Sequence, residues 1–316
     1  MGHTLSLLIM LVCTAVCAGL LWRTSRIQNA VWKWLGVISF GVLTVALALV
    51  TGLAFAGYSR LSGQPNAVSP LQAAASPEQV ARGQSLVHMC TRCHSTTHDL
   101  PLDGGTVNFA PFLSGTLYPP NLTPGGPLKG WTDGEIIRAI REGVAQDGRA
   151  LLVMPSGNFH QLSDADVEAI VAYLRSQPAV DRSTGANDLN VLGAALVGAG
   201  LFRPSVQAPI SAPVVVPAGA SPEYGQYLVD VIGCRNCHGS DLAGGQPSGP
   251  NPDGPNLTTR VPQWSEADFI KTIRTGVDPT GYPLNSLMPW KDFSGFADDD
   301  LKAIYAYLHG LSPIKR

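Results

Sequence analysis

Two pentapeptides concentrate the chemistry available to this 316-residue chain: Cys90-Thr91-Arg92-Cys93-His94 and Cys234-Arg235-Asn236-Cys237-His238. In each, C-x-x-C sets two thiols one helical turn apart, a spacing that lets both reach the two vinyl groups of one haem. The histidine that follows can then ligate iron from the proximal side. C-x-x-C also serves zinc and thiol redox chemistry. Zinc needs two more ligands per site, however, and a thioredoxin-type motif does not need a histidine in the same place twice. The expected cofactors are therefore two covalently bound haem c groups, held by Cys90, Cys93 and His94 and by Cys234, Cys237 and His238.

A sixth iron ligand follows by elimination among five methionines. Met1 and Met10 lie in or before an apolar amino-terminal run, and Met89 abuts Cys90 on the proximal side. Met154 and Met288 remain, each followed by proline and lying 60 and 50 residues beyond His94 and His238. The expected iron ligands are His94 with Met154 and His238 with Met288. Two rival readings stand beside this one. The methionines fill the core, or His160 takes the first iron, although the second copy has Phe293 or Ser294 in that region. His88, His98 and His309 read as surface or propionate-side residues. A proximal histidine needs its Nδ1–H held by a carbonyl, for which Pro111 and Pro250 are the candidates. Trp131 and Trp264 either line a haem, bond a propionate, or sit in the core beside a helix start.

The elements that must position these groups occur twice. Ser76-Pro77-Glu78 and Ser221-Pro222-Glu223 each supply an N-cap serine, a first-turn proline and an acid, opening a helix that runs into the haem signature. A Gly/Pro-rich loop then ends in Asn-Leu-Thr, at 121–123 and 256–258. Trp131-Thr132-Asp133-Gly134-Glu135 starts a second helix with a capping box, and Trp264-Ser265-Glu266-Ala267-Asp268 starts its counterpart in a similar way. Ile136, Ile137 and Ile140, matched by Phe269, Ile270 and Ile273, recur at helical spacing before Gly143 and Gly276, where left-handed caps are expected. After each Met-Pro comes a third helix containing Ala-Tyr-Leu, at 172–174 and 306–308. Three helices and long loops in about 100 residues make a small apolar core, so a large buried apolar cofactor is expected to complete it.

The amino-terminal part is of another kind. Leu5–Trp22 is an uninterrupted apolar run of 18 residues, and Val31–Tyr58 is a second of 28, broken only by Lys33. About 20 apolar residues cross a bilayer, so both read as membrane spans, with Trp22, Trp32, Trp34 and Tyr58 at the headgroup level. Arg23, Arg26 and Lys33 in and beside the connecting loop place that loop in the cytoplasm and everything after Tyr58 outside. The competing reading of the first run is a cleaved signal peptide, but its charges follow the apolar core instead of preceding it. Four of the six cysteines belong to the signatures, and Cys13 and Cys17 lie in the first apolar run, so no thiol is left over for a disulfide in the polar part. Residues 78–178 carry ten acidic and seven basic side chains and residues 222–316 eleven and eight, which excludes a basic surface for nucleic acid.

The expected architecture is all-α: a transmembrane helical hairpin at 1–58, a tether at 59–75, one haem unit at 76–178, a connecting segment at 179–220 and a second haem unit at 221–316. Within the connecting segment, the apolar stretch 189–202 is too short to span a bilayer. It reads as packed in the groove between the haem units or, alternatively, as an interfacial helix or docking surface.

With these residues in view, 76–178 and 222–312 resemble class I cytochrome c domains, through both C-x-x-C-H signatures, both distal Met-Pro pairs and the terminal Ala-Tyr-Leu helices. The Asn-Leu-Thr and Trp-(Thr/Ser)-(Asp/Glu) patterns, with Arg-x-Gly-Val at 141–144 and Asp-Gly-Arg at 147–149, are most similar to multihaem cytochrome c subunits of bacterial membrane dehydrogenases and quinol-oxidising complexes. The chain departs from many of those in having two signatures instead of three and its anchor at the amino terminus. The resemblance implies the all-α cytochrome c fold with His/Met-ligated iron in each unit, placed on the outer, periplasmic face of the bacterial cytoplasmic membrane. The expected function is electron relay and not catalysis, with other membrane subunits of a respiratory or dehydrogenase complex as donors and a soluble carrier or terminal oxidase as acceptor. The alternative is a dihaem peroxidase, against which the paired Met154 and Met288 speak because they would close both irons.

Overall fold

The structure is a computed structural model that describes residues 2–64, 67–217, 219–245 and 253–315. The two apolar runs form helices α1 (Gly2–Thr24) and α2 (Ala30–Leu61), packed against each other as a hairpin. Asn29 starts α2 by accepting the Val31 and Trp32 amides on its side-chain oxygen. His3 at the start of α1 stacks near Tyr58 at the end of α2, with ring centroids 4.4 Å apart. Both ends therefore lie on the side where the rest of the chain continues. Both helices are long and apolar enough to cross a membrane. Leu8, Val12, Trp34 and Val45 face outward and not into a core, the reverse of what a core helix of a soluble protein shows.

The first repeat comprises α3 (Pro77–Leu86), a 3₁₀ turn at Val87–Cys90, α4 (Thr91–His94), α5 (Asp133–Glu142), α6 (Ser156–Phe159) and α7 (Asp164–Ser176). A connecting helix α8 (Val191–Gly198) follows, then α9 (Pro222–Val231), α10 (Arg235–His238), α11 (Leu257–Arg260), α12 (Glu266–Thr275), α13 (Trp290–Phe293) and α14 (Asp298–His309) in the second repeat. The expected helix starts and stops appear where the capping residues stand. Ser76 and Ser221 accept the Gln79 and Tyr224 amides, and the Thr132–Glu135 and Ser265–Asp268 capping boxes close. Gly143 and Gly276 both take φ 69°, the left-handed conformation that lets α5 and α12 stop there. Among the described residues the fold is all-α as expected, apart from isolated bridges and one two-residue antiparallel ladder between β1 (Gly115–Thr116) and β2 (Asp188–Leu189).

In each repeat the first and third helices cross in close contact, α3 on α7 and α9 on α14. The crossing is made possible by one glycine per pair. A β-carbon on Gly83 would collide with the Ala169 carbonyl oxygen, and one on Gly225 with that of Ala303. The apolar interiors of the two repeats are contiguous: Leu86, Ile137, Val167 and Ile170 belong to the same buried cluster as Leu228, Phe269, Phe296 and Leu301.

The repeats also meet through a buried polar cluster. Arg82 of α3 donates to Asp166 of its own repeat (2.9 Å) and to both carboxylate oxygens of Asp300 in the other (2.6 and 2.7 Å). Ser85 Oγ donates to Asp300 and accepts the Ala297 amide, while the Tyr227 hydroxyl donates to Asp166 at 2.8 Å. Arg82 also touches the Tyr224 hydroxyl, the residue that occupies its own place in the second repeat, one position before the crossing glycine.

Two segments differ from expectation. The described part of 59–75 does not hang free as a tether: it bonds to the first repeat, with Ala150 N–H donating to Leu61 O, Gln64 N–H to Gly148 O, and Ala73 N–H to the Asp133 carboxylate. The apolar stretch 189–202 does not fill the groove between the repeats. It forms α8, which packs on the carboxy-terminal end of α2. Ala54 and Gly57 face Ala194 and Gly198, and a β-carbon on either glycine would strike the opposing backbone. Arg60 caps the far end of α8 through the Val197 and Gly198 carbonyls, at 2.9 Å each. Small residues on both faces allow this approach, whereas the groove between repeats is already closed by the Arg82 cluster.

Candidate haem-attachment sites

Each signature lies on a single helical turn, α4 or α10, entered directly from the first helix of its repeat. Cys90 and Cys234 pack against the core as unpaired thiols, and burial pushes each up to about 12, so they are held as neutral thiols. Among the described residues no group of three or more Cys, His, Asp or Glu side chains assembles to hold a metal ion.

His94 and His238 are buried, and both use Nδ1 in a hydrogen bond to a backbone carbonyl, Pro120 O at 2.9 Å and Pro255 O at 2.8 Å. A carbonyl can only accept, so Nδ1 carries the proton and Nε2 is left as the free lone pair. Burial depresses both imidazole pKa values, against a smaller opposing effect of the carbonyl bond, which keeps the rings neutral as a metal ligand must be. Two neutral thiols beside a lone pair held in one tautomer fit covalent haem attachment with proximal ligation.

The carbonyl acceptors differ from those expected. Pro111 O is occupied instead by Ser114, through its amide at 2.9 Å and its hydroxyl. Pro250 lies outside the described residues. Pro120 and Pro255 take the role because each immediately precedes Asn-Leu-Thr, and that tripeptide anchors the loop. Asn121 donates from Nδ2 to Val180 O and Arg182 O and accepts the Thr123 amide and hydroxyl; Asn256 donates to Ile314 O and accepts the Thr258 hydroxyl. The repetition of Asn-Leu-Thr was the available signal, since a buried Asn fixing a loop implies that something next to it must be held still.

Met154 and Met288 are both half-buried and packed against the core. Their backbones are near copies. In each, the proline after methionine sits at φ near −80° and ψ near +50° (−78°, 51° at Pro155 and −81°, 49° at Pro289). The amide two residues after methionine donates back to its carbonyl at 2.8 Å in both, an inverse γ-turn. The chain between each turn and the third helix is braced by a repeated arginine at the end of the second helix. Arg141 donates to Leu162 O and to Asp164 at 2.7 Å, and Arg274 donates to Ser294 O, to Phe296 O at 2.6 Å and to Asp298 at 2.7 Å.

The other candidates fall into lesser roles. His160 turns its Nδ1 to Arg141 O at 3.2 Å, which ties the ring to the end of α5. His88 is not at the surface; it is half-buried with its ring over Gly295 of the other repeat. His98 is exposed, and His309 stacks on Tyr305. Trp131 and Trp264 pack half-buried against the core.

Each attachment segment is also touched by the other repeat. Asp292, four residues past Met288, accepts a hydrogen bond from Thr91, which lies between Cys90 and Cys93 (3.2 Å). Its counterpart Asn158, four residues past Met154, donates to Asp230 O, four residues before Cys234 (2.9 Å). Each Met-Pro turn thus leads into a residue that touches the attachment segment of the other repeat.

A C-x-x-C-H turn with a carbonyl-held histidine, a helix crossing through glycine and a Met-Pro turn define a c-type cytochrome domain, present here twice. Residues 80–178 match the family described as cytochrome c, and residues 220–308 the family described as cytochrome c oxidase, cbb3-type, subunit III. The chain belongs to the cytochrome c family.

It is similar over 252 residues, at 30% identity, to a subunit of the nicotinate dehydrogenase of Pseudomonas putida, a match that covers 70% of this chain and 20% of that protein. It is 27% identical over 268 residues to the cytochrome c subunit of alcohol dehydrogenase (quinone) of Gluconobacter oxydans, covering 74% of this chain and 55% of the relative. It is 25% identical over 299 residues to the fructose dehydrogenase cytochrome subunit of Gluconobacter japonicus, covering 84% and 59%. The chain thus spans between a fifth and three-fifths of the length of these relatives.

Proposed function

We propose that this chain is a membrane-anchored dihaem cytochrome c that relays single electrons and performs no substrate chemistry of its own. One haem c is held by Cys90, Cys93, His94 and Met154, the other by Cys234, Cys237, His238 and Met288. When bound, each haem supplies a one-electron iron couple. Methionine as sixth ligand raises the potential and closes the iron to small oxidants. The α1–α2 hairpin embeds in the bacterial cytoplasmic membrane with both repeats on the periplasmic side. Electrons enter from a quinol-oxidising or dehydrogenase partner and leave to a soluble carrier or terminal oxidase. The naming of several relatives as cytochrome subunits of dehydrogenases supports the donor class.

The observation that carries this reading is the contact of each Met-Pro segment with the opposite attachment segment, Asp292 on Thr91 and Asn158 on Asp230. Two electron sites interlocked across a shared core suit transfer between them; two independent binding domains would have no need of such contacts.

Purification of the full chain from membranes, with a pyridine haemochrome count, tests the reading directly. Two haems per chain are expected, with Met154→Ala and Met288→Ala each removing half of the near-infrared methionine–iron band. A single haem, or prompt carbon monoxide binding to the reduced wild-type chain, would overturn it in favour of another chemistry.

A further inference from the structure

The two repeats are not electrostatically equal where they interlock. Asp292 is 4% exposed, and its carboxylate sits against the first attachment segment with the Thr91 hydroxyl as its hydrogen-bond partner. The corresponding residue in the first repeat, Asn158, is uncharged, so the second attachment segment receives an amide where the first receives a carboxylate. Asp230, four residues before Cys234, is directly neutralised by Arg235 at 2.6 Å. Among the described residues Asp292 makes no such ion pair: Arg92 and His98 face it from the first repeat, and both are exposed, where water screens their charge. A fixed negative charge in a poorly hydrated place stabilises the oxidised, more positive state of a nearby iron.

Resting on the dihaem reading above, we infer that Asp292 is a positioning residue that lowers the reduction potential at the Cys90–Cys93–His94 site below that at the Cys234–Cys237–His238 site. It thereby gives the relay a direction. One electron passes from the first site to the second, with one iron oxidised and the other reduced and no bond made or broken. The first repeat is also the one fastened to the hairpin, through Leu61, Gln64 and the β1–β2 ladder beside α8. The low-potential site therefore belongs to the repeat that is joined to the hairpin, the side from which electrons of a membrane donor would arrive.

The test is a spectroelectrochemical titration of the haem-loaded full chain, with M154H and M288H used to assign each wave to its site. In the wild type the first site should be the lower. Asp292→Asn keeps an acceptor for Thr91 and should raise the Fe(II)/Fe(III) ratio of the first site at fixed potential by threefold or more, with a smaller change at the second. Asn158→Asp should shift the second site threefold or more in the opposite sense. A higher first-site potential in the wild type, a smaller D292N shift, or an equal or larger D292N shift at the second site would each overturn the inference. If N158D does not fold, the wild-type order and D292N still decide it. Failure of the dihaem reading would look different: M154H and M288H would leave the waves unmoved, or one wave alone would be found.

Discussion

Arg82 of the first repeat is held at 2.6 Å by Asp300 of the second, and the same guanidinium reaches Asp166 of its own repeat at 2.9 Å. Burial works against the Arg82 charge, but the two carboxylates outweigh it and keep the group firmly protonated. Asp166 and Asp300 stand at equivalent places on α7 and α14, so one arginine closes a nearly two-fold symmetric seam.

Removal of that arginine should be costly. Arg82→Leu leaves two buried carboxylates facing each other without a cation, and breaking a buried pair by deleting one partner costs about 3–5 kcal/mol. The expected calorimetric result is a lower unfolding temperature and separation of one transition into two as the repeats uncouple. Asp300→Asn, which leaves Asp166 as a partner, should cost less.

The α2–α8 contact predicts a second outcome. Gly57→Leu places a side chain where the Ala194 backbone lies. Overpacking typically costs about 1–3 kcal/mol, so a loss of ~3 kcal/mol at this backbone contact is expected. Hydrogen exchange should rise selectively over Val191–Gly198, while the signatures at 90–94 and 234–238 retain their protection. Unchanged exchange in α8 would show that the helix is not held there by α2.

Asn121→Ala and Asn256→Ala should loosen the loops that carry the Pro120 and Pro255 carbonyls. Each removes an amide with two or more hydrogen bonds, buried at Asn121 and half-buried at Asn256, for about 1–3 kcal/mol of stability. The histidine-specific expectation is a change in the paramagnetically shifted ring resonances of His94 in the first variant and of His238 in the second. A purely local packing defect would lower stability without that site selectivity.

The pH dependence of Asp292 has a definite sign. Burial raises its carboxyl pKa above the ordinary value, while Thr91, Arg92 and His98 act the other way. A carboxyl whose folded pKa exceeds its unfolded one favours the folded state when protonated, so the folded protein bears a penalty above the folded pKa that fades as pH falls through it. Asp292→Asn should therefore unfold at an equal or higher temperature than wild type at about pH 7. The difference should close as pH falls below about 4, the unfolded carboxylate value, as followed by circular dichroism melts.

Much of this molecule can be read from local sequence. The caps at Ser76, Ser221, Thr132 and Ser265, the left-handed stops at Gly143 and Gly276, and the two long apolar helices each depend on residues within a turn or on the composition of one segment. The signatures and Met-Pro turns are equally local, and their duplication made them conspicuous. Relations between segments distant along the chain were not legible. Neither the choice of Pro120 over Pro111 for His94 nor the seat of α8 on α2 follows from any pattern near those residues. The first depends on how Asn121 ties a loop to Val180, the second on which faces present small residues to each other in space.

Residue type at short spacing encodes the chemical inventory: two C-x-x-C-H turns, two methionine turns and an apolar hairpin. How the copies meet is set by packing in space. Asp292 beside Thr91 and Asp300 on Arg82 join residues roughly 200 positions apart. Such contacts exist only once both repeats have folded and buried their shared core.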